Sequence, residues 1–294
     1  KALEAHSYPA AARLAEATLT QLDRSGHPPP LPLLAAALAA AASSGDGPRA
    51  DALLAAAVTR LRATPDTPPA DALPLLDAWA SRLYRRGELD EALRIREQEQ
   101  LPVYRRLGDV RSVAITQGKI ADILQARGEL DEALRILQQE ALPAFGRLGD
   151  VRSVAVTQGK IADILHARGQ LDEALRIREQ EELPVYRRLG DVREIAVTQG
   201  KIADILQARG QLDEALTIRE QEQLPALERL GDVRGVLVAR ANLALNLLKR
   251  AAPGDRDKAR SLLCLALADA RRLGIPEAGQ IEDIIQQHNL QPKA

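Results

Sequence analysis

Three sets of side chains recur with the charge and spacing to hold a ligand. Lys119, Asp122 and Gln125 are followed by Lys160, Asp163 and His166, and then by Lys201, Asp204 and Gln207. Members of a set step by three residues, so on a helix they share one face. If the copies stack, they make a row of alternating charge that suits a peptide or protein with alternating charges of its own. An isolated Lys–Asp pair at this spacing is otherwise an ordinary solvated pair contributing about 0.2–0.5 kcal/mol. Tyr84 adds an aromatic of the kind enriched in binding hot spots. His166 replaces a glutamine, and nothing nearby stands at metal-ligand spacing. Chemistry beyond binding is poorly supplied. There is no glycine-rich phosphate loop, nucleophile elbow or His/Cys cluster. The carboxylates sit beside Lys or Arg, which gives no reason for the raised pKa an acid catalyst needs. The expectation is a chain with no enzymatic activity, no cofactor and no metal.

The sets recur because the sequence itself recurs. A 41-residue segment starts at Gly118 and returns from Gly159 and Gly200, nearly unchanged. A fixed period of this size marks an architecture of stacked units, none of which buries its apolar face alone. Arg-Leu-Gly-Asp-Val punctuates the copies at 106–110, 147–151, 188–192 and 229–233. Glycine there predicts a helix C-cap and the following Asp an N-cap. A first helix should therefore run from Asp109, Asp150 or Asp191 to Gly128, Gly169 or Gly210. Val113, Ile120, Ile123 and Leu124 supply its apolar stripe. Gly-x-Leu-Asp-Glu-Ala then turns tightly into a second helix, with Asp131 and Glu132 favourably placed at its positive end. Each second helix carries a proline: Pro102, Pro143, Pro184 or Pro225. Proline removes a backbone donor and clashes with the preceding turn. A kink is expected there, or a break followed by one more helical turn.

The Gly-x-Leu-Asp-Glu-Ala-Leu motif, with alanine seven residues before its glycine, resembles the tetratricopeptide (TPR) repeat. The matching triplets are Ala80, Gly87, Ala92; Ala121, Gly128, Ala133; Ala162, Gly169, Ala174; and Ala203, Gly210, Ala215. Degenerate matches fall at Ala40, Gly47, Ala52 and at Ala244 with Ala259, the latter with three extra residues near Pro253-Gly254-Asp255. The period exceeds the usual repeat of about 34 residues. It is similar to the long-helix variants of kinesin light chains and of arrays fused to bacterial signalling ATPases. The resemblance implies an all-α, right-handed superhelical solenoid of antiparallel helix pairs, about fourteen helices in a single array. Its expected parts are a partial unit at 1–25, a degenerate unit at 30–70, and units at 71–108, 109–149, 150–190 and 191–231. A unit with a turn insertion at 232–274 and a capping helix at 275–294 complete it. The first segment, 2–23, reads as a second helix, and the proline-rich stretches 27–32 and 64–74 as loops. In such arrays the first helices line the concave face, which places the three sets and Tyr84 in a groove. One subset of the family clamps a C-terminal carboxylate with Lys and Asn. Here Asp122, Asp163 and Asp204 stand where the Asn would lie, and a carboxylate would repel them.

The totals narrow the partner. Lys plus Arg is 40 and Asp plus Glu 41, for a net charge of −1. Unit 150–190 carries seven basic and seven acidic residues. That balance lacks the basic stripe of a nucleic-acid binder. Aromatics make up only 2%, which removes stacking platforms for single strands and argues against a sheet. The longest apolar stretch, 31–42, is too short to cross a bilayer. Trp79 is expected in the inter-helix core. Cys264, between leucines, is expected to be a buried inert thiol, and its solitude suits a reduced cytoplasm. Arg127, Arg168 and Arg209 suit helix C-termini. The absence of Met, even at position 1, reads as a segment of a longer protein. The expectation is a cytoplasmic protein- or peptide-binding scaffold or sensor within a larger bacterial signalling or effector protein. Intramolecular contact with a fused effector domain would fit that role. The alternatives are a self-associating spacer and an idealised repeat without a ligand.

Overall fold

The computed structural model describes residues 47–62 and 70–290. The expected unit at 1–25, its helix at 2–23, the loop at 27–32 and most of the unit at 30–70 lie outside the described residues. Twelve helices are described: α1 (Gly47–Arg62), α2 (Leu73–Arg86), α3 (89–106), α4 (Val110–Ala126), α5 (130–147), α6 (Val151–Ala167), α7 (171–189), α8 (Val192–Ala208), α9 (212–229), α10 (Val233–Arg250), α11 (Asp255–Leu273) and α12 (Glu277–Gln287). There is no strand among the described residues. A 3-10 turn at Ala70–Ala72 leads into α2, so the end of the expected 64–74 loop is helical. No described helix is long and apolar enough to cross a membrane.

Local chemistry sets the helix ends. The side chains of Asp109, Asp150, Asp191 and Asp232 accept the backbone N–H of Ser112, Ser153, Glu194 and Gly235, capping α4, α6, α8 and α10. Each cap satisfies an otherwise orphaned helix donor and contributes about 1 kcal/mol. Gly190, at φ 66, ends α7 in the left-handed conformation that an L side chain resists. The short alanines let paired helices approach. Ala80 with Ala92, Ala121 with Ala133, Ala162 with Ala174, Ala203 with Ala215 and Ala244 with Ala259 are all at most 1% exposed.

The second helices differ from expectation. Proline does not break them. Each contains a π-helical segment, at Ile95–Gln100, Leu137–Ala141, Ile177–Glu182 and Arg219–Gln223. The residue before each proline donates five residues back: Leu101 to Arg96, Leu142 to Leu137, Leu183 to Arg178, and Leu224 to Arg219. Widening the helix by one residue moves the carbonyl that the proline ring would strike and absorbs the missing donor. The backbone stays right-handed helical throughout.

Two compact units divide the chain at 144 and 145. In the first, Leu75, Leu76, Ala80 and Leu83 of α2 pack with Ala92 and Ile95 of α3 and Ile123 of α4. Trp79 lies against this cluster, partly buried, with its indole N–H buried and unpaired. In the second, Leu237, Leu243, Ala244 and Leu247 of α10 pack with Ala259, Leu263 and Ala266 of α11 and with Ile281 and Ile285 of α12. Cys264 is half-buried rather than buried, because it faces a cavity beside Leu267 and Ile285.

Candidate protein-binding face

The residues of the three sets are all half-buried: Lys119, Asp122, Gln125, Lys160, Asp163, His166, Lys201, Asp204 and Gln207. Tyr84 is 39% exposed on α2. The Lys–Asp pairing within one helix is not the contact that holds Lys119 and Lys201. Lys201 on α8 reaches back to Asp163 on α6 at 3.1 Å. Lys119 on α4 reaches back to Asp77 on α2 at 2.5 Å. These lysines tie one first helix to the previous one.

The carboxylates they meet are already held from beneath by buried arginines, which the sequence reading missed. Arg178 in the π segment of α7 bonds Asp163 at 2.7 Å and Glu182 at 2.5 Å, with its own side chain 4% exposed. Arg219 in α9 bonds Asp204 and, at 3.2 Å, Gln223. Arg96 in α3 bonds Asp77 at 2.9 Å, Ser81 at 2.9 Å and Gln100 at 3.1 Å. A mid-helix glycine makes room for the group four residues on. A Cβ on Gly159 would lie 2.6 Å from the Glu182 carboxylate. In α5 the same two positions are Leu137 and Ala141, both buried. The Arg/Gln, Leu/Ala and Arg/Glu alternation between copies was the available signal, because partners at one site change together.

The surroundings set the charge states. Burial pushes the Glu182 carboxyl above the usual range, and Arg178 only partly offsets it. Burial also lowers the Arg219 guanidinium, against the attraction of Asp204. Asp77 feels burial upward, but hydrogen bonds from Lys119 and Arg96 win and hold it below the usual carboxylate range. The Tyr186 phenol is pushed up to about 12, by burial first and the Glu182 charge second.

A second feature escaped the sequence reading. One turn before each lysine stands an exposed aliphatic: Ile115 on α4, Val156 on α6, Val197 on α8, and Val238 at the matching position of α10, all 39–44% exposed. Arg152 pairs with Asp191 at 2.6 Å and Arg193 with Asp232 at 2.7 Å along the same side of the second unit. Between α8 and α10 lies a cavity of about 380 Å³ lined by Val197, Lys201, Asp204, Arg219, Val238 and Asn242, among others. A valine row crossed by ion pairs offers apolar area and orientation together, the usual division of labour in recognition. Arg127 and Arg209 bond Asp90 and Asp172 at 3.1 Å, so they bridge to the preceding turn besides facing helix C-termini. Among the described residues, no group of three or more His, Cys, Asp or Glu is arranged to hold a metal.

Paired helices with small residues at their crossing, glycine turns and a repeating period define a TPR-like helical-repeat protein. Solved structures share that fold. One is a Podosopora anserina protein described as a kinesin light chain with nearly identical TPR-like repeats. It has 22% identity and a TM-score of 0.55, over 68% of this chain and 96% of that one. BtubC (BKLC) from P. vanneervenii has 18% identity and a TM-score of 0.57, over 79% and 93%. Rap protein complexed with competence and sporulation factor has 13% identity and a TM-score of 0.60, over 87% and 75%. No protein-family model and no curated protein matches the sequence.

Proposed function

We propose that this array is a protein- or peptide-binding scaffold whose working surface is the first-helix face. The observation that carries the reading is the exposed aliphatic recurring at one register position of successive first helices, beside half-buried charge. An isolated exposed valine needs no explanation, but a periodic row flanked by ordered ion pairs has the make-up of an interface. The Rap structure, solved with competence and sporulation factor, supports the fold's suitability for binding. The proposed binding residues are Tyr84, Lys119, Asp122 and Gln125 on the first helices of the first unit, and Lys160, Asp163, His166, Lys201, Asp204 and Gln207 on those of the second. The finer reading is a cytoplasmic sensor or scaffold segment of a larger bacterial signalling or effector protein. Its support is the resemblance to long-repeat arrays fused to such proteins, and a parent reading frame without an effector domain would sink it.

The test compares the parent with a Val156→Glu, Val197→Glu, Val238→Glu variant in capture from source-cell lysate, followed by direct binding of the identified partner. Exposed valines are the better target, because replacing Lys119 or Lys201 would break bonds between helices. Loss of the partner with an unchanged circular dichroism spectrum supports the face. Undiminished binding by the variant rejects it. A second reading, self-association, draws on another row: Leu148, Leu189 and Leu230 are 44–47% exposed at the turns between units. A molecular mass that rises with concentration in light scattering, and falls when these leucines become Glu, would favour it.

A further inference from the structure

The cavity between α8 and α10 is where a repeated lysine is missing. Asp163 accepts two cations, Arg178 from below and Lys201 from the next first helix. Asp77 likewise accepts Arg96 and Lys119. Asp204 is held by Arg219 from below, but 41 residues after Lys201 stands Asn242. Two further exchanges enlarge the gap. Leu227 takes the position of Tyr186, and Gly235 that of Glu194. A Cβ on Gly235 would already come within 3.0 Å of Leu227. The result is a cavity of about 380 Å³ with Val197, Val238 and Leu227 as apolar walls and Asp204, Arg219, Gln223 and Asn242 as polar lining.

We propose that this cavity receives a lysine side chain from the bound protein or peptide. The inference rests on the binding face proposed above and names the chemistry of one contact on it. The ligand's methylene stem would lie between Val197 and Val238, and its ammonium would meet the Asp204 carboxylate and the Asn242 side-chain oxygen. That is the arrangement Lys201 makes on Asp163 one unit earlier. Charge favours a cation despite the basic residues in the wall. Arg193 is paired with Asp232, Arg234 with Glu277, Lys201 with Asp163 and Arg219 with Asp204. An anion would have to break one of these pairs, whereas Asp163, the counterpart of Asp204 one unit earlier, already carries a second cation without losing the first, as does Asp77 at a different register position. A lysine suits the site better than an arginine, because a compact ammonium on a flexible stem is the missing group.

The test titrates the full chain with acetyl-Ala-Lys-Ala-amide and with versions carrying Arg, Glu or norleucine at the centre. Binding is read from NMR signals of the Val197 and Val238 methyls and the Asn242 side-chain amide. The lysine peptide should bind at least about tenfold tighter than the Glu and norleucine peptides, a difference of about 1.4 kcal/mol. Asn242→Lys should fill the site and abolish that binding while melting no lower than the parent. The inference is overturned if the Glu or norleucine peptide binds as well, if Arg is preferred, if the shifts lie elsewhere, or if Asn242→Lys binds like the parent. The two readings fail separately. A captured partner that is lost on the valine-to-Glu variant but keeps full affinity for Asn242→Lys preserves the face and rejects the lysine pocket.

Discussion

The near-identical copies around α6–α9 and the last pair, α10–α11, solve one packing problem with different residues. In the copies a proline sits in the second helix and a π segment precedes it. In α11 there is no proline, and the helix runs as a regular α-helix from Asp255 to Leu273. The π segment thus tracks the proline, and the proline fixes which side chains the widened turn buries. The copies close their inter-helix turn on a glycine. The last pair uses Ala251 at φ 57, braced by Asp255, whose carboxylate accepts from Arg250 and from the Ala252 N–H. The fully buried isoleucine of the copies, Ile164 and Ile205, becomes Asn246, 0% exposed with neither amide atom paired. The copies are internally consistent, and the terminal pair carries polar and conformational costs.

The largest effect should come from breaking a buried charge cluster. Arg178→Leu leaves Glu182 and Asp163 without their buried cation and should cost about 3–5 kcal/mol. Adding Glu182→Ala recreates the Leu137/Ala141 combination of α5 and should recover most of that loss. Urea unfolding of the single and double variants measures both. A double variant as unstable as the single would mean that the α5 solution does not transfer. Next in size is Asn246→Ile, which restores the residue of the copies and removes two unsatisfied buried groups. It should add about 1–3 kcal/mol. A lower midpoint would show that the amide has a partner, such as a bound water, that the bare geometry hides.

These contrasts also mark what was legible in the sequence. Helix starts at Asp109, Asp150 and Asp191, glycine ends and the buried alanines were legible because capping and close approach are local demands that one residue type meets. The form of the second helix was not, because proline's effect depends on whether the helix can widen, and that depends on which side chains fill the extra turn. The charged sets were found by spacing, but their partners were not. Lys201 and Asp163 lie on different helices, and a helical wheel sees only its own. The valine row went unread because an aliphatic on a helix looks like core until burial separates Val197 from Ile202. Asn242 and Asn246 were visible only by comparing copies position by position.

A smaller contrast concerns pH. Among the π-segment clusters, Glu182 stands where Gln100 and Gln223 stand in the sister helices. Its folded-state pKa is raised by burial, so the folded protein holds that proton more tightly than the unfolded chain does. Stability associated with Glu182 is therefore full below its unfolded value of 4.5 and is lost as pH rises through the higher folded value. Glu182→Gln should match the parent near pH 4 and become the more stable of the two by pH 7. Chemical unfolding at the two pH values checks the sign. A variant that gains on the parent as pH falls would show that the ion pair with Arg178 outweighs burial.

The smallest expected effect lies at the turn that replaces the glycine of the copies. Ala251 adopts a left-handed backbone, φ 57 and ψ 31, while its N–H still bonds to the Leu247 carbonyl. For an L residue with a Cβ that conformation costs roughly 1–2 kcal/mol, and glycine removes the steric part. Glycine also gives the unfolded chain more freedom, which takes back about 0.4–1 kcal/mol. The net gain for Ala251→Gly should thus lie between about 0 and 1.6 kcal/mol. Thermal melting of the variant beside Gly210→Ala gives the mirror test, because the second change puts the strain of the terminal turn into a copy at φ 83. If Gly210→Ala destabilises and Ala251→Gly stabilises by similar amounts, backbone strain alone separates the two turns. If Ala251→Gly destabilises instead, the Asp255 carboxylate, with its bonds to Arg250 and the Ala252 N–H, depends on the stiffness that alanine gives the turn.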